Sequence, residues 1–176
     1  MNASQLRRAR RASLGTLLLA LALAGCSGGA SKYTDTRYHL HLELPSGWSA
    51  PATGAVGTTT SGLAYVIHFT NPPGMRILVQ APIPGLTGVT NGRVVTNDAK
   101  HGCPIKCVFT TFRVHALPAV LVRQYDTSDR LTSDYAGINT TRNSYQFELQ
   151  TGNTISSSLE GQFKAVVKSF RPGPNG

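Results

Sequence analysis

Apolar and polar residues alternate from Tyr38 onward: Tyr38, Leu40, Leu42 and Leu44 are separated by His39, His41 and Glu43. A period of two puts the apolar set on one face and predicts a half-buried strand. Pro45-Ser46-Gly47 turns the chain. Trp48 follows at once, in the position of a core-edge anchor or a ligand contact. Ala50 to Gly62 is small and polar and reads as a loop. Leu63 to Thr70 is rich in β-formers and ends at Asn71-Pro72-Pro73-Gly74, a strong turn, after which Met75 to Ala81 supplies the second arm of a hairpin. Residues 85–107 carry no helical stripe, although Val94-Val95 could form a short strand. Val108 to Val114 alternates again, and Leu117-Pro118 interrupts. Ala119 to Tyr125 predicts a central strand and Asp126 to Arg130 a turn. Ser133 to Thr140 and Ser144 to Thr151 flank Thr141-Arg142-Asn143 as another hairpin, with Tyr145, Phe147 and Leu149 toward the core.

The period changes near the C-terminus. Leu159, Phe163, Val166, Val167 and Phe170 fall on one face of a 3.6-residue repeat. Ser157 and Glu160 have capping-box spacing, Glu160, Lys164 and Lys168 line the opposite face, and Arg171-Pro172 ends the helix. Burying five such side chains contributes on the order of 10 kcal/mol gross. This helix therefore needs a sheet beneath it. The pattern gives an α+β class: an antiparallel sheet with a C-terminal amphipathic helix lying on it.

Composition bounds the rest. The chain has 176 residues, 40% hydrophobic and 14% charged, which suits one domain with a real core and excludes wholesale disorder or a long coiled coil. Arg7, Arg8, Arg10 and Arg11 precede an uncharged run from Leu14 to Ala24. That run is too short for the about 20 residues of a membrane span, but has the size of a secretory h-region. Leu23-Ala24-Gly25-Cys26 resembles the bacterial lipobox. The resemblance implies cleavage before Cys26 and diacylation of its sulfur; the bland alternative is an ordinary signal peptide with Cys26 incidental. Arg10-Arg11-Ala12-Ser13-Leu14 also resembles a degraded twin-arginine signal, though the general secretory route is the expectation. Removing residues 1–25 lowers the net charge from +9 to +5. The remaining excess is scattered and indicates no nucleic-acid groove; a mild attraction to anionic lipid or an envelope polymer follows instead. The expected organisation is a leader over 1–25, the lipidated Cys26 and a flexible Gly/Ser tether over 26–36, one domain over 37–171, and a disordered tail over 172–176.

Leu44-Pro45-Ser46-Gly47-Trp48, with the final run from Phe163 to Ser169-Phe170-Arg171, resembles the PsbP/Mog1/DcrB-like superfamily, and within it the LpqN-type lipoproteins. The resemblance implies an α/β/α sandwich. It also implies a helix in the middle of the chain, where residues 85–107 show no such pattern. The superfamily has photosystem subunits, a nuclear-transport cofactor and lipoproteins, and shares no active site that could be carried over.

The candidate chemistry is sparse. Cys103 and Cys107 bracket Pro104-Ile105-Lys106; outside the cytoplasm the expectation is a local disulfide worth about 2 kcal/mol. The sharper alternative is a copper or redox site of Cys103, Cys107 and His101. His39 and His41 share one face of the predicted strand, read as solvated rather than metal-binding. Asp126, Asp129 and Asp134 lack calcium-loop spacing and read as turn formers or solvated charges. Asn139-Thr140-Thr141 is a glycosylation sequon, idle in a bacterial setting. No phosphate loop, nucleophile elbow or zinc-protease motif is present. The expectation is a lipid-anchored, non-enzymatic binding or accessory domain without a cofactor, facing a protein partner, an envelope polymer or a small ligand.

Overall fold

The computed structural model describes residues 29–59, 62–80 and 106–174. The predicted leader, Cys26, His101, Cys103 and most of the 85–107 segment lie outside them. The described residues form nine strands and one helix. The strands are β1 (Ser31–Thr34), β2 (His41–Leu44), β3 (Ala55–Thr59), β4 (Gly62–His68), β5 (Met75–Gln80), β6 (Lys106–Val114), β7 (Leu117–Tyr125), β8 (Leu131–Asn139) and β9 (Ser144–Gln150); the helix is α1 (Ser157–Ser169). Strands β1 and β2 pair as a ribbon, and the other seven form one antiparallel sheet in the order β3-β4-β5-β9-β8-β7-β6.

Period-two patterning explains which face meets the helix. Register places Tyr65, Val79, Tyr145, Ile138, Ala119 and Phe112 in one row across the sheet. Ile67, Ile77, Phe147, Ala136, Leu121 and Thr110 make the next. Most of these side chains are buried and join Phe163, Val166, Val167 and Phe170 of the helical segment in one core. Phe170 packs edge-on against Phe147, with centroids 5.5 Å apart. The opposite face is buried too, at Leu78, Val120 and Val122.

Several expectations need correction. The expectation of a flexible tether reaching residue 36 does not hold at Ser31–Thr34, which is a strand whose Tyr33 pairs with Leu42 and donates to the Pro51 carbonyl at 2.9 Å. The 50–62 loop contains β3, an edge strand with Val56 57% exposed, so no alternation marked it. Leu117-Pro118 does not interrupt a strand but begins β7; the turn is at His115 and Ala116, His115 with φ 54°. The 119–125 strand is interior as expected, lying within β7 between β8 and β6, and β9 is the fourth of the seven. The helix is capped by Ser156, whose Oγ accepts from the Leu159 N–H at 3.2 Å, so Ser157 is its first residue and not the cap. The tail over 172–176 is not wholly free: Gly173 is buried against the carbonyls of Tyr38 and His39, and the Pro174 carbonyl accepts from Arg142 at 3.4 Å.

Two turns require glycine. Gly47 has φ 82° in the turn closed by the Trp48 N–H to the Pro45 carbonyl. Gly74 has φ 83°, and a Cβ there would fall 1.7 Å from the Gln150 carbonyl oxygen. Trp48 is a core-edge anchor: it is 7% exposed, edge-on to Phe69, and its Nε1–H reaches Gln162 on the helix at 3.1 Å. Asp35 ties the first turn, accepting from the Arg37 and Tyr38 N–H groups and from the Tyr65 hydroxyl at 2.7 Å. Burial and this bond push the Tyr65 hydroxyl up to about 12.

Candidate functional site

The third row of the helix-facing side breaks the apolar rule. It runs Met75, Leu149, Asp134, Arg123 and Val108. Asp134 is 0% exposed, and neither of its carboxyl oxygens has a hydrogen-bond partner. Burial, with Glu160 of α1 adding to it, pushes this carboxyl up to about 7 against the pull of Lys164 and Arg123. The expectation of a solvated Asp134 is thus overturned. Its strand position is fixed by Ala136 and Ile138, and the same parity that buries them carries Asp134 inward.

Arg123 stands directly across from Asp134 yet turns to other groups. Its Nη1 lies 3.6 Å from Glu160 and its Nη2 donates to the Thr110 hydroxyl at 3.5 Å, while its Nε is buried without an acceptor. Glu160 is also held by Lys164, the predicted i,i+4 pair. Thr110, Arg123 and Lys164 border a cavity of about 200 Å³ between the sheet edge and the helix. Thr110 and Phe112 of β6 and Leu121 and Arg123 of β7 make its floor; Lys164, Val167 and Lys168 of α1 make its other wall. The cleft combines an apolar lining with cationic groups. It can hold a ligand and orient an anionic group, and it brings no nucleophile beside a base.

The other candidates do not converge. His39 has φ 52° and precedes the strand, so it shares no strand face with His41, whose Nδ1 meets the Thr34 hydroxyl at 2.8 Å. His41 borders a shallow polar hollow of about 310 Å³ beside Lys32, Glu43 and Arg171. Asp126 is a turn former as expected. It accepts from the Ser128 and Arg130 N–H groups, and the bonds from Arg130 hold its carboxyl below the usual range. Asp129 has φ 59° and bonds Lys106 at 2.7 Å. Cys107 is half-buried near the start of β6. Among the described residues no three His, Cys, Asp or Glu side chains could hold a metal ion, and no helix is long and apolar enough to cross a membrane. The pattern reads Lys168 only as part of the outward helix face and does not single out Arg123, which lies two residues from Leu121, a core position on the same strand.

An antiparallel sheet carrying a C-terminal helix defines an α+β domain. Its arrangement is PsbP-like: the chain is similar to the solution structure of cyanobacterial PsbP (CyanoP) from Synechocystis sp. PCC 6803, with a TM-score of 0.50 and 16% identity over 86% of this chain and 99% of that one. The likeness shows the fold. No family model matches the chain, and no curated protein matches its sequence significantly.

Proposed function

We propose that the chain is a lipid-anchored extracytoplasmic binding domain of LpqN type with no catalytic task, and that the cleft beneath α1 is its binding place. The observation that carries the binding reading is the under-satisfied guanidinium of Arg123 beside an apolar cavity. A protein that needed this arginine only for stability would hold it with short, direct bonds. The anchoring reading rests on Leu23-Ala24-Gly25-Cys26, with the first strand of the domain beginning five residues later, at Ser31. Two or more acyl chains on Cys26 would hold the domain stably at the membrane, which one chain does not. A Cys103–Cys107 disulfide would then close the short loop that leads into β6. The test is fractionation of the producing cells with the full chain and with Cys26→Ser. The wild-type protein is expected in the membrane fraction, with an acylated amino-terminal peptide by mass spectrometry, and the variant outside it. An unmodified Cys26 thiol or a retained leader overturns the anchoring.

A further inference from the structure

We propose that the cleft between β6, β7 and α1 takes a small amphipathic carboxylate, with its anionic head against Arg123 and Lys168 and its apolar body on Phe112, Leu121 and Val167. The inference rests on the binding reading above and names its ligand class.

Three observations lead to it. First, the contacts of Arg123 are weak. Nη2 to Thr110 at 3.5 Å and Nη1 to Glu160 at 3.6 Å are at or beyond the limit of a hydrogen bond, and Nε has no acceptor. A planar guanidinium with free donors fits the two oxygens of a carboxylate. Second, the cleft keeps an uncommitted cation. Glu160 takes Lys164, while Lys168 is exposed at the rim with no ion-pair partner among the described residues. Among the described residues two acids stand near these three cations: Glu160, shared between Lys164 and Arg123, and the buried Asp134 across from Arg123; the cations outnumber them, so the cleft attracts anions. Third, the rest of the lining is apolar. Leu121 and Val167 are 5% and 1% exposed, and Phe112 is half-buried beside them. An inorganic anion would leave these surfaces without a partner, and a neutral hydrocarbon would leave the cations without one. The volume of about 200 Å³ is below the ~300–1,000 Å³ of drug-sized sites, which limits the occupant to a small molecule or one end of a longer one.

The experiment uses the full chain in nanodiscs of neutral lipid, with empty nanodiscs as control, and titrates hexanoate, hexan-1-ol and acetate by calorimetry and by methyl NMR at Leu121 and Val167. Hexanoate is expected to bind about tenfold more tightly than either of the others, the difference that one charge-assisted contact or a few buried methylenes produces. Arg123→Gln should weaken hexanoate about tenfold and leave hexan-1-ol unchanged. Lys168→Gln, at an exposed site that does not threaten folding, should weaken hexanoate several-fold and steepen nothing else. Equal affinity for hexanoate and hexan-1-ol overturns the anionic head, equal affinity for hexanoate and acetate overturns the apolar body, and an absence of methyl shifts overturns the site. Hexanoate affinity unchanged in Lys168→Gln overturns the placement of the head even if Arg123→Gln fails to fold. None of these results bears on Cys26, whose fractionation test stands or falls separately.

Discussion

Replacing Asp134 by Asn should change the way stability depends on pH. In the unfolded chain the carboxyl ionises near its ordinary value of 3.8, and in the folded chain near about 7. Between those values the folded state holds one proton more than the unfolded state, so wild-type stability falls as pH rises through the window and levels off above the folded value. At about 1.4 kcal/mol per pH unit, the full effect is up to about 4 kcal/mol. The cause is loss of solvent from a carboxyl that no donor replaces, with Glu160 as a like charge close by. Asn has similar shape and no proton to lose, so this slope disappears in Asp134→Asn. The assay is urea denaturation of both proteins at intervals from about pH 4 to about pH 8, reading the difference in unfolding free energy. That difference should move in favour of the variant across the window. A flat difference, or one that moves in favour of the wild type as pH rises, refutes the reasoning. Glu160→Gln supplies a second reading: removing the like charge should lower the midpoint of the Asp134 carboxyl titration followed by NMR.

Ser156→Ala should destabilise the protein by about 1 kcal/mol, read from the urea midpoint, because the Leu159 N–H loses its acceptor at the start of α1. Gly74→Ala should cost ~2 kcal/mol or more by the same assay, since it combines a positive φ with a close approach to the Gln150 carbonyl. Trp48→Phe removes the bond from Nε1 to Gln162 and should cost about 1–2 kcal/mol in thermal or urea unfolding. A thiol assay on the denatured chain, purified from the producing cells without reductant, should find Cys103 and Cys107 unreactive until a reductant is added; thiols that react without it would favour the copper or redox reading.

The parts legible in the sequence were those with a clear period. Leu42 and Leu44 alternate, Tyr145, Phe147 and Leu149 alternate, and Phe163, Val166 and Val167 repeat helically; all are buried where the pattern puts them. The missed strands have no such signal. β1 contributes one core side chain, Tyr33, from a segment otherwise rich in Gly and Ser, and β3 is an edge strand of small residues. Pairing with a neighbour decides both, and pairing is not local information. Asp134 was misread for a different reason. A carboxylate normally avoids the core, which favours a solvated reading, whereas the parity of Ala136 and Ile138 on the same strand carries this one inward. The cleft depends on β6, β7 and α1 meeting, so no stretch of sequence contains it.

The position of β9 has a consequence for when the protein can take shape. It lies between β5 and β8, joining the three-stranded meander β3-β4-β5 to β6-β7-β8. Until Gln150 has been delivered, the two meanders have no common neighbour, and the ribbon at the front waits longer still, because His41 exchanges backbone bonds with Arg171. A chain passed vectorially from its amino end through a narrow conduit would thus stay open along most of its length until its last quarter arrived. Late closure of this kind, set by long-range pairing, would keep a polypeptide threadable during such a passage and delay its final fold to the far side.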